Sequence, residues 1–483
     1  MKRAMSCIVM TAIAACGGDP LRPPEIPVTD QYTPTPIAAQ TAVADVRGGE
    51  AQQFAPGKDI PAQWWTLFHS PSLDGMVRQA LEGSPTLAKA RAKLRQAQED
   101  LSARTGATEY PRVDAKLSAN RVDVNPQSLG VQSLPVQTPF NLYLASVGVS
   151  YTFDLFGSTR RELEALRAEA DHQRFELEAA RLMLTGNVVT AAIREASLRE
   201  QIANTEEIVA LQAQQLAIAD RLEQLGAAAL AEVIAQRRDL AQTRATLPEL
   251  RRQLEQLRHR LAVFMGKPPG AAGLPEFRLA DLQLPSELPL SLPSELARQR
   301  PDIRAAEALL VQAGARVGVA TANLYPQITL SATAGSLTTT GDLFGGGTGF
   351  YVLGASLTQP IFHGDELQAK RRSAVAAYDQ AGAAYQEVVL QGFQNVADTL
   401  RALEADALKL KELAEAAAQA RRYRDIAAER YKAGGLSQLA LLDATRQYHR
   451  ALLDQTQAVA DRYADSAALL QALGGGWWKE QGP

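Results

Sequence analysis

Hydrophobic residues change their spacing along the chain, from a helical period to strict alternation and back. After Tyr110-Pro111 and after Tyr325-Pro326, apolar residues fill every second position. The alternating residues are Val113, Ala115, Leu117 and Ala119; Val147, Val149, Tyr151 and Phe153; Ile328, Leu330, Ala332 and Ala334; and, in a shorter pattern, Leu353, Ala355 and Leu357. A period of two indicates strands with one apolar face. The pattern predicts four strands of about ten residues, which span a bilayer when tilted.

Long helices are predicted beyond the second strand of each pair. No proline occurs between residues 140 and 247 or between 361 and 482, and good helix formers dominate there. We expect one helix over 158–225 and another over 365–432, each on the order of 100 Å long. The chain should turn back at Gly226 and at Gly434-Gly435. An isolated antiparallel coiled coil is the simpler alternative, but broad alanine-rich faces favour packing on both flanks, as in a ring of helices.

A unit that consists of a helix, a pair of strands and a long helix occurs twice in the chain. Four landmarks recur in the same order in both halves. They are Ser84-Pro85 and Arg300-Pro301; Tyr110-Pro111 and Tyr325-Pro326; Leu155-Phe156 and Ile361-Phe362; and Met265-Gly266 and Leu473-Gly474. Chance similarity between two alanine-rich stretches would not preserve this order of proline, aromatic and glycine positions. The sequence therefore predicts an internal duplication.

The first residues are typical of a secretory signal. Lys2 and Arg3 precede a short apolar run over residues 8–15, which ends in small residues before Cys16. The run is too short to span a bilayer as a helix, so cleavage is favoured over a permanent anchor. Without Cys7, Cys16 has no partner for a disulfide within the chain. Ile13-Ala14-Ala15-Cys16 resembles a bacterial lipoprotein box, which predicts lipidation of Cys16. The proline-rich residues that follow are typical of an extended tether.

Composition and motifs argue against several classes of function. The chain has 50 Lys and Arg against 53 Asp and Glu, so its charge does not favour nucleic acid as a partner. Its five histidines form no His-Glu-x-x-His motif, and its two cysteines form no zinc pattern. We therefore expect no catalytic, cofactor-binding or metal site.

Four strands at membrane height cannot close a barrel. An open sheet edge in hydrocarbon leaves backbone groups unpaired at a cost of several kcal/mol each, so other copies must supply strands. Known single-chain barrels begin at about eight strands, which two copies would reach and three would exceed. These physical arguments alone do not decide between two copies and three.

The layout resembles the TolC-like outer-membrane factors, in particular the lipoprotein (OprM/NodT-like) branch that serves resistance-nodulation-division efflux pumps. The most specific stretches are Arg300-Pro301-Asp302-Ile303-Arg304-Ala305-Ala306-Glu307 and Tyr325-Pro326-Gln327-Ile328. The resemblance implies a mainly α fold with membrane β: two structural repeats, four transmembrane strands and long periplasmic helices per protomer, and a trimeric β-barrel and α-barrel. It also implies a homotrimer in the cell outer membrane, held by lipid, with a periplasmic adaptor and an inner-membrane pump as partners.

The resemblance assigns a gate and two docking turns. Leu439, Asp443 and Arg446 match the constricting leucine, the acidic ring and the neighbouring arginine of the lipoprotein branch, and their spacing places them on one helix face. Leu230, Ile234 and Arg237 occupy the equivalent places of the first repeat, which lacks the acid. An ordinary helix aspartate paired with Arg446 is the alternative. Gly226, Gly434 and Gly435 mark the helix tips that would face the adaptor.

The predicted domain order follows from the repeat. Its parts are a signal peptide over 1–15; a lipidated tether and equatorial segment over 16–70; a first repeat over 71–266 with strands near 112–124 and 142–154; an equatorial linker over 267–294; a second repeat over 295–474 with strands near 327–336 and 350–359; and a tail over 475–483. The function implied is passive conduction of small molecules or drugs out of the cell. The alternatives are the outer-membrane duct of an ATP-driven protein secretion system and a lipidated coiled-coil adaptor.

Overall fold

The computed structural model describes residues 29, 31–123, 139–271, 273–343, 345 and 348–479. The helices are α1 (Pro71–Gly83), α2 (Pro85–Glu109), α3 (Ser158–Gln224), α4 (Leu230–Phe264), α5 (Pro293–Gln299), α6 (Pro301–Ala322), α7 (Glu366–Lys432) and α8 (Gln438–Ala472). The strands are β1 (Gln53–Pro56), β2 (Arg112–Val122), β3 (Phe140–Phe153), β4 (Glu287–Leu290), β5 (Gln327–Thr338) and β6 (Thr348–Thr358). Cys16 and the predicted signal peptide lie outside the described residues.

The chain divides into two compact units. The described residues of the first unit lie within Lys93–Gln173 and Ala306–Tyr385, and those of the second within Ile26–Ala92, Arg174–Ala305 and Gln386–Pro483. The four long strands belong to the first unit, and both helix turns belong to the second. Each unit draws on both sequence repeats.

The first unit contains the predicted four-stranded sheet. The strand order is β2-β3-β5-β6 with antiparallel neighbours, and the strands are 11, 14, 12 and 11 residues long. The register aligns the alternation of all four strands, so that Val113, Val149, Ala332 and Leu353 form one row. The next row on the opposite face is Arg112, Ser150, Ser331 and Gly354. One face is therefore apolar, and the other is mostly polar.

Among the described residues, the side chains on the apolar face of the sheet remain largely exposed. Val113, Leu117 and Leu353 are 63%, 75% and 76% exposed. A soluble sheet would bury such a face against helices, whereas a membrane strand presents it to lipid. None of the helices within the described residues is long and apolar enough to cross a bilayer.

The long helices are present as predicted. α3 and α7 each contain 67 residues, about 100 Å at 1.5 Å per residue, and the returning helices α4 and α8 each contain 35. α1, α2, α5 and α6 all open on a proline, whose missing N–H costs nothing in the first turn of a helix.

The core of the second unit joins the N-terminal segment to the end of α8. Trp64, Phe68 and Tyr463 are almost fully buried there, and β1 pairs in parallel with β4 beside them. Trp477 donates from Nε1 to the Gln299 carbonyl at 2.7 Å and contacts Phe175 edge-on. These tryptophans therefore pack in this core, outside the four long strands.

Candidate channel gate and helix turns

Both long helices end in the same glycine turn. In the first repeat, Gly226 has φ +76° and the N–H of Ala227 donates to the Leu222 carbonyl at 2.8 Å. In the second, Gly434 has φ +74° and the N–H of Gly435 donates to the Arg430 carbonyl at 2.8 Å. This is the Schellman arrangement, in which glycine takes the left-handed position without a Cβ penalty. The predicted turns thus lie at equivalent points of the two repeats.

The predicted gate residues all lie in the first turns of α8. Asp443 accepts from the Arg446 guanidinium and, at 2.6 Å, from Gln447 Nε2. The Asp443 side chain is 39% exposed and that of Arg446 is 19% exposed. Leu439 is half-buried. The alternative pairing of Asp443 with Arg446 is therefore present within the chain, and Gln447 is a second partner that its i+4 spacing would have indicated.

The turn of the first repeat differs in chemistry from that of the second. Leu225, Leu230 and Ile234 are 69%, 59% and 56% exposed. Arg237 reaches back to Asp220 on α3 at 2.9 Å. In the second repeat, α7 and α8 are joined instead by Arg424, whose guanidinium lies 4.6 Å from the centre of the Tyr448 ring. The first turn thus exposes three large apolar side chains, whereas Asp443 with its partners Arg446 and Gln447 lies beside the second.

The helix starts change the predicted equivalence by one residue. α4 begins at Leu230 and α8 at Gln438, and the turn glycines Gly226 and Gly434 are separated by the same 208 positions. Counted this way, the counterparts of Leu439, Asp443 and Arg446 are Ala231, Ala235 and Arg238 rather than Leu230, Ile234 and Arg237. The first repeat still lacks an acid at this place.

Arg300 of the Arg-Pro-Asp segment links the start of α6 to the end of α8 by hydrogen bonds. It is 9% exposed, donates from Nη1 to the Ala472 carbonyl at 2.9 Å, and pairs with Asp302 at 2.6 Å. The Ala472 carbonyl belongs to the last turn of α8, where carbonyls lack helical partners and a cation is favourable. The segment that carries the resemblance therefore has a structural role at the junction of α6 and α8.

A carboxyl pair on α7 and α8 was not predicted from the sequence. Burial raises the pKa of Asp406 to about 7, with a further contribution from a hydrogen bond to Asp465. Burial also raises the pKa of Asp465. Asp461 lies nearby and is paired with Lys409 at 3.1 Å. The two residues are far apart in sequence, so only the packing of α7 on α8 shows that their carboxyl groups are neighbours.

The N-terminal segment is held by a fully buried arginine. Arg462 on α8 donates to the Gly48 and Glu50 carbonyls at 2.9 and 2.6 Å and to Thr41 Oγ1 at 2.7 Å. Gln52 Oε1 accepts from Arg462 Nε at 3.3 Å. This cluster attaches the residues that follow the predicted tether to the core of the second unit.

Comparison with known proteins shows to which family the chain belongs. The model of the family described as outer membrane efflux protein matches residues 76–267 and 292–475, one segment in each predicted repeat. The chain belongs to this family. It is 31% identical over 463 residues to the pyoverdine export outer membrane protein OpmQ of Pseudomonas aeruginosa, covering 93% of this chain and 94% of that protein.

Other relatives are similar to this chain over nearly its whole length. The toluene efflux pump outer membrane protein TtgC of Pseudomonas putida is 29% identical over 508 residues, covering 100% of this chain and 97% of that protein. The solved structure of the outer-membrane channel OprN is 28% identical and superposes with a TM-score of 0.79 over 92% of this chain and 100% of that chain. The predicted TolC-like fold and outer-membrane efflux role are therefore confirmed, and the family is one of channels rather than enzymes.

Proposed function

We propose that this outer membrane efflux protein is the passive exit duct of a tripartite pump, closed by three copies of the chain. The observation that carries the proposal is the four-stranded sheet, whose edge strands β2 and β6 each have one strand neighbour among the described residues. Two open edges beside an exposed apolar face fit closure by other copies, since unpaired backbone in hydrocarbon costs several kcal/mol per group. Three copies, rather than two, follow the TolC-like family.

A duct of this kind carries no catalytic chemistry and chooses no substrate. The relatives named above are associated with pyoverdine and toluene, which differ greatly in size and polarity. That breadth suits a polar lumen without a shaped pocket, and the polar row of the sheet would supply such a lining. The exported compounds are therefore small molecules or drugs selected by an inner-membrane resistance-nodulation-division pump and its periplasmic adaptor.

The helix turns are the proposed docking points for the adaptor. Leu225, Leu230 and Ile234 expose apolar side chains beside Gly226. Exposed apolar groups at one tip of a long helical pair are typical of an interaction site. The turn at Gly434 and Gly435 would provide the second, more polar contact.

Asp443 is the proposed gate acid, with Leu439 as the constricting residue and Arg446 as the partner that tempers repulsion. Three copies would bring three Asp443 carboxylates towards one axis, where like charges destabilise one another unless they are paired. Asp443 is 39% exposed and pairs with Arg446 within one helix, where such pairs contribute roughly 0.2–0.5 kcal/mol, so it can exchange partners between copies at small cost. A channel gate that must open and close can be held by such weak pairs.

Single-channel recording in planar bilayers tests the gate. Asp443→Ala should raise conductance, because it removes the three carboxylates that the proposal places around the axis of the closed state, together with their pairing to Arg446. Asp454→Ala is the matched control, since Asp454 is an exposed acid on the same helix face about 16 Å further from the turn, at 1.5 Å per residue. Unchanged conductance in Asp443→Ala, or an equal rise in the control, would refute the assignment.

A further inference from the structure

The two repeats meet inside the chain at an aromatic stack. β3, from the first repeat, pairs with β5, from the second. Beyond the end of this pairing, Phe156 stacks on Tyr325 with ring centres 5.0 Å apart and planes 13° from parallel. Near-parallel rings at this distance form an offset stack, which adds a directional contact to the strand pairing. The stack marks the place where a first-repeat strand is joined to a second-repeat strand.

The same two aromatic positions recur with their repeats exchanged. Tyr110 corresponds to Tyr325, because each directly precedes the proline before a strand. Phe362 corresponds to Phe156, because each follows a strand threonine, Thr358 or Thr152, by four residues. Within the chain these counterparts are far from stacked: Tyr110 is 67% exposed and Phe362 is 86% exposed. They flank β2 and β6, the two open edges of the sheet.

The helices beside these rings show the same asymmetry. In α6, which leads to Tyr325, the exposed residues are only Leu309, Val311 and Arg316. In α2, its repeat counterpart, most residues are exposed and only Leu87 and Ala97 are buried. Two helices of equivalent position should have equivalent neighbours in the finished assembly. α2 therefore lacks, within one chain, a covering that α6 already has.

We propose that the boundary between copies repeats the internal junction, so that Phe362 of one copy stacks on Tyr110 of the partner subunit. β6 would take the place of β3 and β2 of the partner subunit the place of β5. The occupant of the open edge is then a second copy of this chain, which brings its own α2 against the start of α7. The same contact repeats around the ring, because such an interface is heterologous and closes by rotation.

This proposal rests on the proposed function, since it requires the copies to close a ring. It is narrower than that function, because it names the two aromatic side chains, Phe362 and Tyr110, that stack at the boundary between copies. Photocrosslinking tests this contact directly. Phe362 is replaced by the photoreactive amino acid p-benzoylphenylalanine, and these chains are mixed in detergent with isotopically heavy wild-type chains. After irradiation, mass spectrometry should find the light peptide with position 362 joined to the heavy peptide with Tyr110. The same replacement at Phe156 should instead join light peptides, through Tyr325 of its own chain.

Two outcomes separate the claims. Particles of three copies that give no 362-to-110 product would overturn the stack and leave the duct intact. A failure to form rings at all would overturn both. A second measurement uses heating in detergent followed by electrophoresis: Phe362→Ala should release monomers at a lower temperature than wild type, and Phe362→Tyr should restore the wild-type value. Ile361→Ala, which removes a neighbouring side chain that is 93% exposed, should have a smaller effect; an equal effect would contradict the ring assignment.

Discussion

Replacing Arg462 with methionine should release the N-terminal segment from the second unit. Arg462 is fully buried and donates to Gly48, Glu50 and Thr41 at 2.6–2.9 Å, with a longer bond to Gln52. Methionine fills much of the volume but donates no hydrogen bond. The acceptors of residues 41–52 would then be buried without their charged partner, which is the costly way to lose a hydrogen bond.

The size of the effect follows from these bonds. A hydrogen bond from a charged donor contributes roughly 1.5–3 kcal/mol. Crediting two of the bonds at the low end gives about 3 kcal/mol, and every 1.4 kcal/mol is tenfold in an equilibrium constant. The locally detached form should therefore become about 100-fold more populated. The rest of the unit should keep its fold, because Trp64, Phe68 and Tyr463 still pack.

Limited trypsin digestion in detergent measures this population. Arg47 is exposed but its neighbours Gly48 and Gly49 are buried, so cleavage after Arg47 requires the segment to detach. When detachment is fast, the cleavage rate follows its equilibrium population. Arg450→Met is the control, since Arg450 is an exposed arginine on the same helix. Cleavage after Arg47 that rises less than about tenfold, or that rises equally in the control, would refute the reasoning.

Three further predictions concern other sites. The folded pKa of Asp406 is raised from 3.8 to about 7, so this group opposes folding increasingly as pH rises through that interval; Asp406→Asn should flatten the decline in melting temperature between pH 5 and 7, and an unchanged slope would refute the raised pKa. Gly434→Ala should destabilise the turn by about 1 kcal/mol because φ is +74°, measured as faster amide exchange around residue 434; wild-type exchange rates would contradict this. Cys16→Ser should abolish metabolic labelling with radioactive palmitate, and retained label would exclude Cys16 as the lipid site.

The architecture was largely predictable because its signals are periodic and repeated. Alternation after Tyr110-Pro111 and Tyr325-Pro326 predicted the strands, and the glycines at Gly226 and Gly434 predicted the turns, since only a few residue types tolerate those backbone conformations. The gate position was transferred from the family, and the structure adds Gln447 as a partner of Asp443.

Contacts between distant segments could not be predicted in the same way. Arg462 lies in the same kind of helical sequence as the exposed Arg450 of α8, and the residues that it binds lie in a segment without periodicity. Asp406 and Asp465 come together only through the packing of α7 on α8. The one-residue change in the equivalents of Leu439, Asp443 and Arg446 arose because the helix start, rather than residue similarity, sets the phase of a helix.

Native mass spectrometry of the protein in detergent tests most directly whether three copies of this chain close one duct. A single species with three chains per particle is the predicted result. Particles containing one chain or two would contradict the account, because the four strands of each copy would then leave the proposed barrel open or too narrow.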